Sequence, residues 1–247
     1  MAEAPRSPNH GDRRGGARPD IVLIHYTAMD EAGALGKMCD PAEEVSAHWF
    51  VAEDGRTIAL VDEERRAWHA GASYWAGDRD VNSRSIGIEL CNDGTAPYPA
   101  AQVEALVALL GGIVARWGVP PERVLGHSDV APGRKRDPGP RFPWALLAAK
   151  GLAVVPPNRK ALPDEARFRA ALERAGYDPD CGTEVLVEAL RLRAGRAVEG
   201  PLDAYDMGAA LALAARWPAA TGDDGAGRGP EPGRGPEPGI DPATARG

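Results

Sequence analysis

The sequence predicts an α/β domain, with a central mixed β-sheet flanked by helices, followed by a small three-helix module. Two features of the pattern indicate this fold class. Between residues 20 and 157, short apolar runs typical of strands alternate with apolar residues at helical spacing. Between residues 163 and 217, only amphipathic helical segments follow one another. Hydrophobic residues make up 43% of the 247 residues, which is sufficient for a packed core.

Four elements are predicted in the first part of the domain. Residues 21–26 (IVLIHY) form a short apolar run, which is typical of a buried strand. A short helix is expected over residues 29–38, before a proline that ends it. Residues 48–52 (HWFVA) and 57–61 (TIALV) are two further strands, and the Asp-Gly turn between them predicts a β-hairpin.

The second part of the domain continues with strand, helix, strand and helix. Residues 85–90 (SIGIEL) are predicted to form a strand. Apolar residues at helical spacing predict a helix over 102–117, closed by Gly118. Residues 123–126 (RVLG) form a short strand, and 143–150 (PWALLAAK) a closing helix.

The flanking segments differ in composition from the domain. Residues 1–19 are polar and rich in Gly and Pro, and we expect them to form an arm or an extended cover. The three-helix module spans 163–217. Residues 218–247 contain GRGPEP twice, and this density of Gly and Pro predicts a disordered tail.

Charge and cysteine content limit the range of partners and the compartment. The net charge of −7 argues against nucleic acid as a partner, because phosphate binding needs a basic face. Cys39, Cys91 and Cys181 form no CxxC pair, so we expect free thiols in a reducing compartment. No secretory signal and no stretch of ~20 apolar residues is found, which predicts a cytoplasmic protein without a membrane span. An envelope location stays open if translation starts upstream. Nothing in the sequence predicts the oligomeric state.

Three residues have the types and spacing of a metal site. His127 and Asp137 lie ten residues apart in the Gly/Pro-rich stretch GHSDVAPGRKRDPGPRFPW, which can fold both side chains onto one ion. A third ligand is needed from a rigid element, and His25 at the end of the first strand fits. A single histidine at a strand end is more often a structural residue, so the metal site is predicted from the three together.

Two further residues are candidates for catalysis. Glu89 is an acidic residue inside an apolar strand, where alternation places it opposite Ile86 and Ile88. It is either a solvent-facing glutamate or a general base beside a metal. Lys135 is two residues from Asp137 and is either an ordinary loop lysine or a group that stabilises an oxyanion.

These stretches, together with IVLIHYTAM, EVSAHWFVAEDGRTIALVDEERRAWHAG and NSRSIGIEL, resemble the zinc-dependent N-acetylmuramoyl-L-alanine amidases of the type 2 family. That family shares its fold with peptidoglycan recognition proteins and phage T7 lysozyme. The resemblance covers roughly residues 20–156 and is nearest to the AmiD and AmpD group. It implies a muropeptide or peptidoglycan substrate.

The resemblance also implies roles for individual residues. The zinc ligands fall on His25, His127 and Asp137, and the catalytic pair on Glu89 and Lys135. The implied reaction is hydrolysis of the amide between N-acetylmuramic acid and L-alanine of the stem peptide. T7-type members have a catalytic tyrosine where this chain has Ala47, so Glu89 is expected to act as the only base.

Four residues are predicted to contact substrate. Trp68 and His69 either line the cleft or belong to an ordinary loop in the core, and Asn82 and Arg84 are candidates for binding acidic groups of the stem peptide. His48 is expected to be a structural hydrogen-bonding residue rather than a ligand.

The helical module is similar to peptidoglycan-binding domains found in amidases of this kind. The similarity rests on the Ala-Gly-Tyr-Asp stretch (175–178), Thr183 and the three-helix layout. The module departs from that pattern at residues 190–192 (LRL), so packing against the catalytic domain is an equal alternative to sugar binding.

Several functions remain open at this point. A cytoplasmic amidase would cut 1,6-anhydro-N-acetylmuramyl peptides during wall recycling, which we favour, whereas an envelope amidase would act on intact wall. A peptidoglycan receptor without activity and a zinc hydrolase acting on another amide also fit the sequence. Metal content and turnover of a muropeptide separate the amidases from the last two functions, and preference between soluble fragments and intact wall separates the two amidases.

Overall fold

A five-stranded mixed sheet lies at the centre of the protein, which we describe from a computed structural model over residues 5–219. The strands within this range are β1 (His10–Gly11), β2 (Ile21–Tyr26), β3 (Trp49–Val51), β4 (Thr57–Ala59), β5 (Arg66–Ala67), β6 (Ser85–Leu90) and β7 (Val124–Gly126). The helices are α1 (Glu31–Cys39), α2 (Val81–Arg84), α3 (Ala100–Trp117), α4 (His127–Val130), α5 (Trp144–Ala149), α6 (Glu165–Ala175), α7 (Thr183–Ala194) and α8 (Ala204–Arg216). The predicted fold class is confirmed.

The order of strands in the central sheet is β4-β3-β6-β2-β7. β2 pairs in parallel with both β6 and β7, whereas β3 and β4 form the predicted antiparallel hairpin. The carboxyl ends of β2, β6 and β7 therefore meet at one edge of the sheet. His25 and Glu89 are register partners at that edge, and the chain leaves β7 there into α4.

Helix α3 covers one face of the sheet. Its length and apolar composition alone would also suit a membrane span, and it is the one such helix in the described part of the chain. Its buried residues Leu106, Leu110 and Ile113 pack in the same core as Val22 and Ile86 of the sheet. The hydropathy of α3 is thus accounted for by contact with the sheet.

The N-terminal segment is built into the domain more closely than an arm suggests. β1 pairs antiparallel with β5 in a second, two-stranded sheet that the sequence did not predict. Ser7 and Asn9 are buried, and the Asn9 amide donates to the backbone carbonyls of Asp40 and Val45 at 2.8 and 2.9 Å. Neither short strand contains an apolar run, so periodicity could not reveal them.

The three C-terminal helices share a hydrophobic core with the sheet. Phe168 of α6, Leu190 of α7 and Ala210 of α8 belong to one buried cluster with Ile21 and Leu23 of β2. The predicted disordered tail lies, from residue 220 onward, outside the described residues.

Candidate metal centre

Three side chains meet at the carboxyl edge of the sheet. His25 Nδ1 lies 2.9 Å from His127 Nδ1 and 2.8 Å from Asp137 Oδ2, and His127 Nδ1 lies 3.0 Å from the same oxygen. All three residues are buried. Two imidazole nitrogens and one carboxylate oxygen are a donor set that zinc accepts in hydrolytic sites. The residues predicted as ligands from the sequence are therefore brought together, and they fit a divalent metal.

Each ligand is delivered by a different piece of backbone. His25 is near the end of β2, and His127 begins α4 immediately after β7. The loop that follows folds back, because the Ser128 amide donates to the Asp137 carbonyl at 3.0 Å and the Lys135 amide to the Ala131 carbonyl at 3.0 Å. This reversal closes the ten-residue separation between His127 and Asp137.

Hydrogen bonds on the far side of each ring set its orientation. His127 Nε2 lies 3.0 Å from the Ala70 carbonyl, to which it donates, so the lone pair of Nδ1 faces the centre. His25 Nε2 lies 3.0 Å from His69 Nδ1. Donation from His25 leaves His69 to donate through Nε2 to Ser85 Oγ at 3.3 Å, and Ser85 donates to the Val81 carbonyl at 2.6 Å.

The charge states of these groups suit metal binding. Burial, and then the neighbouring His127, lowers the pKa of His25 to about 4, so its ring is neutral near pH 7. Burial alone would raise the pKa of Asp137, but its hydrogen bonds with His127 and His25 outweigh burial and lower that pKa well below the ordinary value. Neutral imidazole and ionised carboxylate are the forms that bind metals.

His69 fits beside His25 because residue 87 is glycine. A Cβ atom at Gly87 would lie 2.5 Å from Cγ of His69, closer than any real contact. The ring of His69 is also edge-on to that of His25, with 5.1 Å between ring centres. The ring of His69 thus fills the space that the missing side chain of Gly87 leaves on β6.

Glu89 faces the metal centre rather than bulk solvent. It lines the same cavity, of about 440 Å³, as the three candidate ligands. Its Oε2 atom is buried and has no hydrogen-bond partner within residues 5–219. Burial, together with the negative charge of Asp137, raises the pKa of Glu89 to about 8. The sequence left two positions open for the Glu89 side chain, facing solvent or beside a metal. The structure places it beside the candidate metal centre.

The rim of the cavity is cationic, and one wall is apolar. Lys135 and Lys37 both line the cavity and are exposed. Arg134 donates to the Ala70 carbonyl at 2.6 Å, so it is tied to the backbone that also supports His127. The apolar part of the lining includes Met29, Ala34, Met38 and Val45.

The residues predicted as substrate contacts occupy different places. His69 lines the cavity and supports His25, whereas Trp68 is half-buried in the loop before it. Asn82 Oδ1 accepts from the amides of His69 and Ala70 at 3.0 and 2.8 Å. Arg84 forms an ion pair with Asp20 at 2.7 Å, at the opposite end of β6 from Glu89.

His48 has the structural role expected of it. Its Nδ1 accepts from the Gly87 amide at 2.9 Å, and its Nε2 lies 3.0 Å from the Arg65 carbonyl. Both ring nitrogens are thus used in contacts with the backbone, and one of these contacts holds β6 beside the segment that leads into β3.

Comparison with known proteins identifies the family. The model of the N-acetylmuramoyl-L-alanine amidase family matches residues 15–140, about half of the chain. The chain belongs to this amidase family. The amidase is 38% identical to N-acetylmuramoyl-L-alanine amidase AmiD of Escherichia coli strain K12 over 188 residues, covering 65% of this chain and 67% of AmiD. It is 42% identical to 1,6-anhydro-N-acetylmuramyl-L-alanine amidase AmpD of the same strain over 157 residues, covering 56% of this chain and 86% of AmpD.

Solved structures agree with this assignment. The amidase resembles a complex of AmiD from E. coli with anhydro-N-acetylmuramic acid-L-Ala-D-γ-Glu-L-Lys, with a TM-score of 0.71 and 33% identity over 83% of this chain and 92% of that one. It resembles AmpDh3 from Pseudomonas aeruginosa with a TM-score of 0.75 and 29% identity over 89% and 100% of the two chains. The resemblance to the AmiD and AmpD group is confirmed.

Proposed function

We propose that this amidase is a zinc enzyme that hydrolyses the amide between N-acetylmuramic acid, in its 1,6-anhydro form, and L-alanine of the stem peptide. The observation that carries the proposal is the triangle of His25 Nδ1, His127 Nδ1 and Asp137 Oδ2, with Glu89 on the same cavity. The relatives support the substrate, since AmpD is named for the anhydro form and AmiD was solved with an anhydro-muropeptide.

The chain's own residues define where the metal would be held. His25, His127 and Asp137 would bind it, with both rings oriented by their outer hydrogen bonds. When bound, zinc supplies a Lewis acid that polarises the amide carbonyl and makes water more acidic. The hydrolytic class of site has three protein ligands, as here, and leaves a position open.

Glu89 transfers the proton in this reaction, and Lys135 stabilises the negative charge that develops. Water attacks the lactyl carbonyl carbon, and Glu89 takes a proton from that water. The bond from this carbon to nitrogen then breaks as Glu89 passes the proton to the nitrogen of L-alanine, which leaves as an amine. The ammonium group of Lys135 on the rim offsets the negative charge that develops on the carbonyl oxygen.

The cellular role that we propose is recycling of soluble wall fragments in the cytoplasm. The relation to AmpD supports the fragment as substrate. The three cysteines are free, which suits a reducing compartment. We retain residues 20–157 as the catalytic domain and 163–217 as a peptidoglycan-binding-like module within this proposal.

A turnover assay tests the proposed function. Metal-free protein, zinc-loaded protein and the zinc-loaded variant Glu89→Ala would each receive anhydro-muropeptide and intact sacculi, with products identified by mass spectrometry. Glu104→Ala, on the exposed surface of α3, is the matched control. We expect free stem peptide from the anhydro-muropeptide with the zinc-loaded protein and the control alone.

Three different outcomes have distinct meanings. Preference for sacculi would replace recycling with a role on the intact wall. Zinc binding without release of peptide from either substrate would make the protein a receptor. Release that is unaffected by zinc removal would contradict the metal mechanism.

A further inference from the structure

The loop that holds two of the three ligands has little regular structure of its own. Beyond the single turn of α4, the ligand loop, defined as residues 127–137, consists of turns and irregular backbone. A catalytic site needs its ligands held within about 0.5 Å, which requires support from packed neighbours. Helix α7 of the C-terminal module lies against this loop and supplies that support at three points.

The first point is the carboxylate of Asp129, two residues after His127. Its Oδ2 accepts from the Gly126 amide at 2.8 Å and from Arg193 Nη1 at 3.1 Å, and its Oδ1 accepts from the Tyr177 hydroxyl at 2.6 Å. Asp129 and Arg193 are both buried. The module thus contributes two of the three hydrogen bonds that the Asp129 carboxylate accepts.

Arg193 is itself held on both sides. Its Nε donates to the Val154 carbonyl at 2.8 Å, and its guanidinium lies 4.0 Å from the centre of the Trp144 ring. A guanidinium stacked on an indole in this way has little freedom to follow a moving carboxylate. Asp129 is therefore anchored to a fixed partner.

The second and third points lie further along the loop. A Cβ atom at Gly133 would lie 2.8 Å from Cγ1 of Val185, so α7 approaches the loop backbone closely there. Arg136, next to Asp137, forms an ion pair with Glu188 at 2.9 Å. Val185, Glu188 and Arg193 are all on α7, which thereby contacts the loop from its first turn to its last residues.

We infer that α7 and Tyr177 are positioning elements of the metal centre, acting through Asp129 on the turn that presents His127. This inference rests on the proposed metal site. A buried ion pair contributes little net stability compared with apolar packing, but removing one partner leaves a buried charge that the surroundings must move to solvate. Movement of Asp129 shifts His127, and loss of outer support around metal ligands commonly lowers metal affinity.

The test compares two arginines on the same helix. Arg193→Met removes the positive charge that pairs with Asp129 and keeps an unbranched side chain over the Trp144 ring. Arg191→Met is the matched control, because Arg191 is equally buried and pairs with Asp206 at 2.6 Å, and its partners all lie in the module. Zinc affinity is measured by chelator competition and ligand geometry by the visible absorption of the Co²⁺-substituted protein, both well below the melting temperature of each variant.

We expect Arg193→Met to weaken zinc binding about tenfold or more and to alter the Co²⁺ spectrum. Arg191→Met should lower the melting temperature while leaving zinc affinity and spectrum within about twofold of the parent. Tyr177→Phe, a milder change at the same carboxylate, should weaken zinc binding in the same direction and serves if Arg193→Met does not fold.

Equal losses of zinc affinity in the two arginine variants would show a general stability effect and overturn the inference. So would a parent-like affinity in Arg193→Met, or in Tyr177→Phe if that variant alone folds. Failure of the parent protein itself to bind zinc or Co²⁺ would instead refute the proposed metal site.

Discussion

The partly buried carboxyl group of Glu89 makes the stability of the metal-free protein depend on pH. Its Oε2 has no hydrogen-bond partner within residues 5–219, and Asp137 adds a second negative charge nearby. These effects raise the pKa of Glu89 from an ordinary 4.5 to about 8 in the folded protein. The fold therefore holds the proton of Glu89 more tightly than the unfolded chain does.

The sign and size of the effect follow from proton linkage. A raised pKa means that the contribution of Glu89 to stability is complete below pH 4.5 and is lost as the pH rises towards 8. Over that range the unfolded chain has released the proton and the folded protein has not. The free energy of unfolding therefore falls by about 1.4 kcal/mol per pH unit. Between pH 5 and pH 8 the loss is at most about 4 kcal/mol.

Glu89→Gln removes this dependence, because the amide does not titrate. We expect the metal-free variant to gain stability over the parent by about 1–3 kcal/mol as the pH rises from 5 to 8. The assay is urea denaturation of the parent, Glu89→Gln and the exposed control Glu104→Gln in the presence of a chelator, at several pH values across this range.

A difference between parent and Glu89→Gln that stays constant from pH 5 to pH 8 would refute the reasoning, since it would mean that Glu89 titrates as in water. The control Glu104→Gln should show a constant difference. Adding zinc should reduce the pH dependence of the parent, because a nearby cation favours the ionised carboxylate.

Three further predictions concern the surroundings of the ligands. His69→Ala should weaken zinc binding about tenfold or more, because His25 Nε2 loses its hydrogen-bond acceptor. His69→Gln should restore part of the zinc affinity. Equal zinc affinity of the parent and both variants in chelator competition would exclude a role of His69 in orienting His25. Gly87→Ala should lower the free energy of unfolding by about 1–3 kcal/mol, because the added methyl group meets the His69 ring. Gly36→Ala is the control and should not lower it, because there is open space around Gly36. An unchanged free energy of unfolding for Gly87→Ala in urea denaturation would show that the His69 ring moves freely. Lys135→Met should lower kcat on a muropeptide about 100-fold with little change in KM, and Lys135→Arg should retain more activity; a change confined to KM would indicate a binding role instead.

The sequence was sufficient to predict the elements that build the site. β2 and β6 begin and end at the predicted residues, and α3 begins two residues before the predicted start. Apolar runs and helical spacing report the burial of a single element, which is a local property of the chain. The three ligands were predicted because a Gly/Pro-rich loop limits where two of them can lie.

The same local signals could not assign the outer shell of the site. His69 was predicted only as a residue of the cleft, and it does line the cavity; its contact with His25 Nε2, in a space that exists because residue 87 is glycine, was not predicted. The contact between Arg193 and Asp129 joins residues 64 positions apart. No periodic pattern records either pairing.

The sequence by itself thus determined the strands of the central sheet, the longer helices and the identity of the candidate ligands, because each depends on residue type and spacing over a short stretch. Only the tertiary structure decided which ring nitrogens face the centre, that half-buried Glu89 lies beside it with a buried Oε2 atom, and that the C-terminal helices contact the ligand loop. Those properties depend on side chains that are distant in the chain and meet only when the sheet and helices pack. The hydrogen-bond partners of these side chains, and the charges that surround them, follow from that packing.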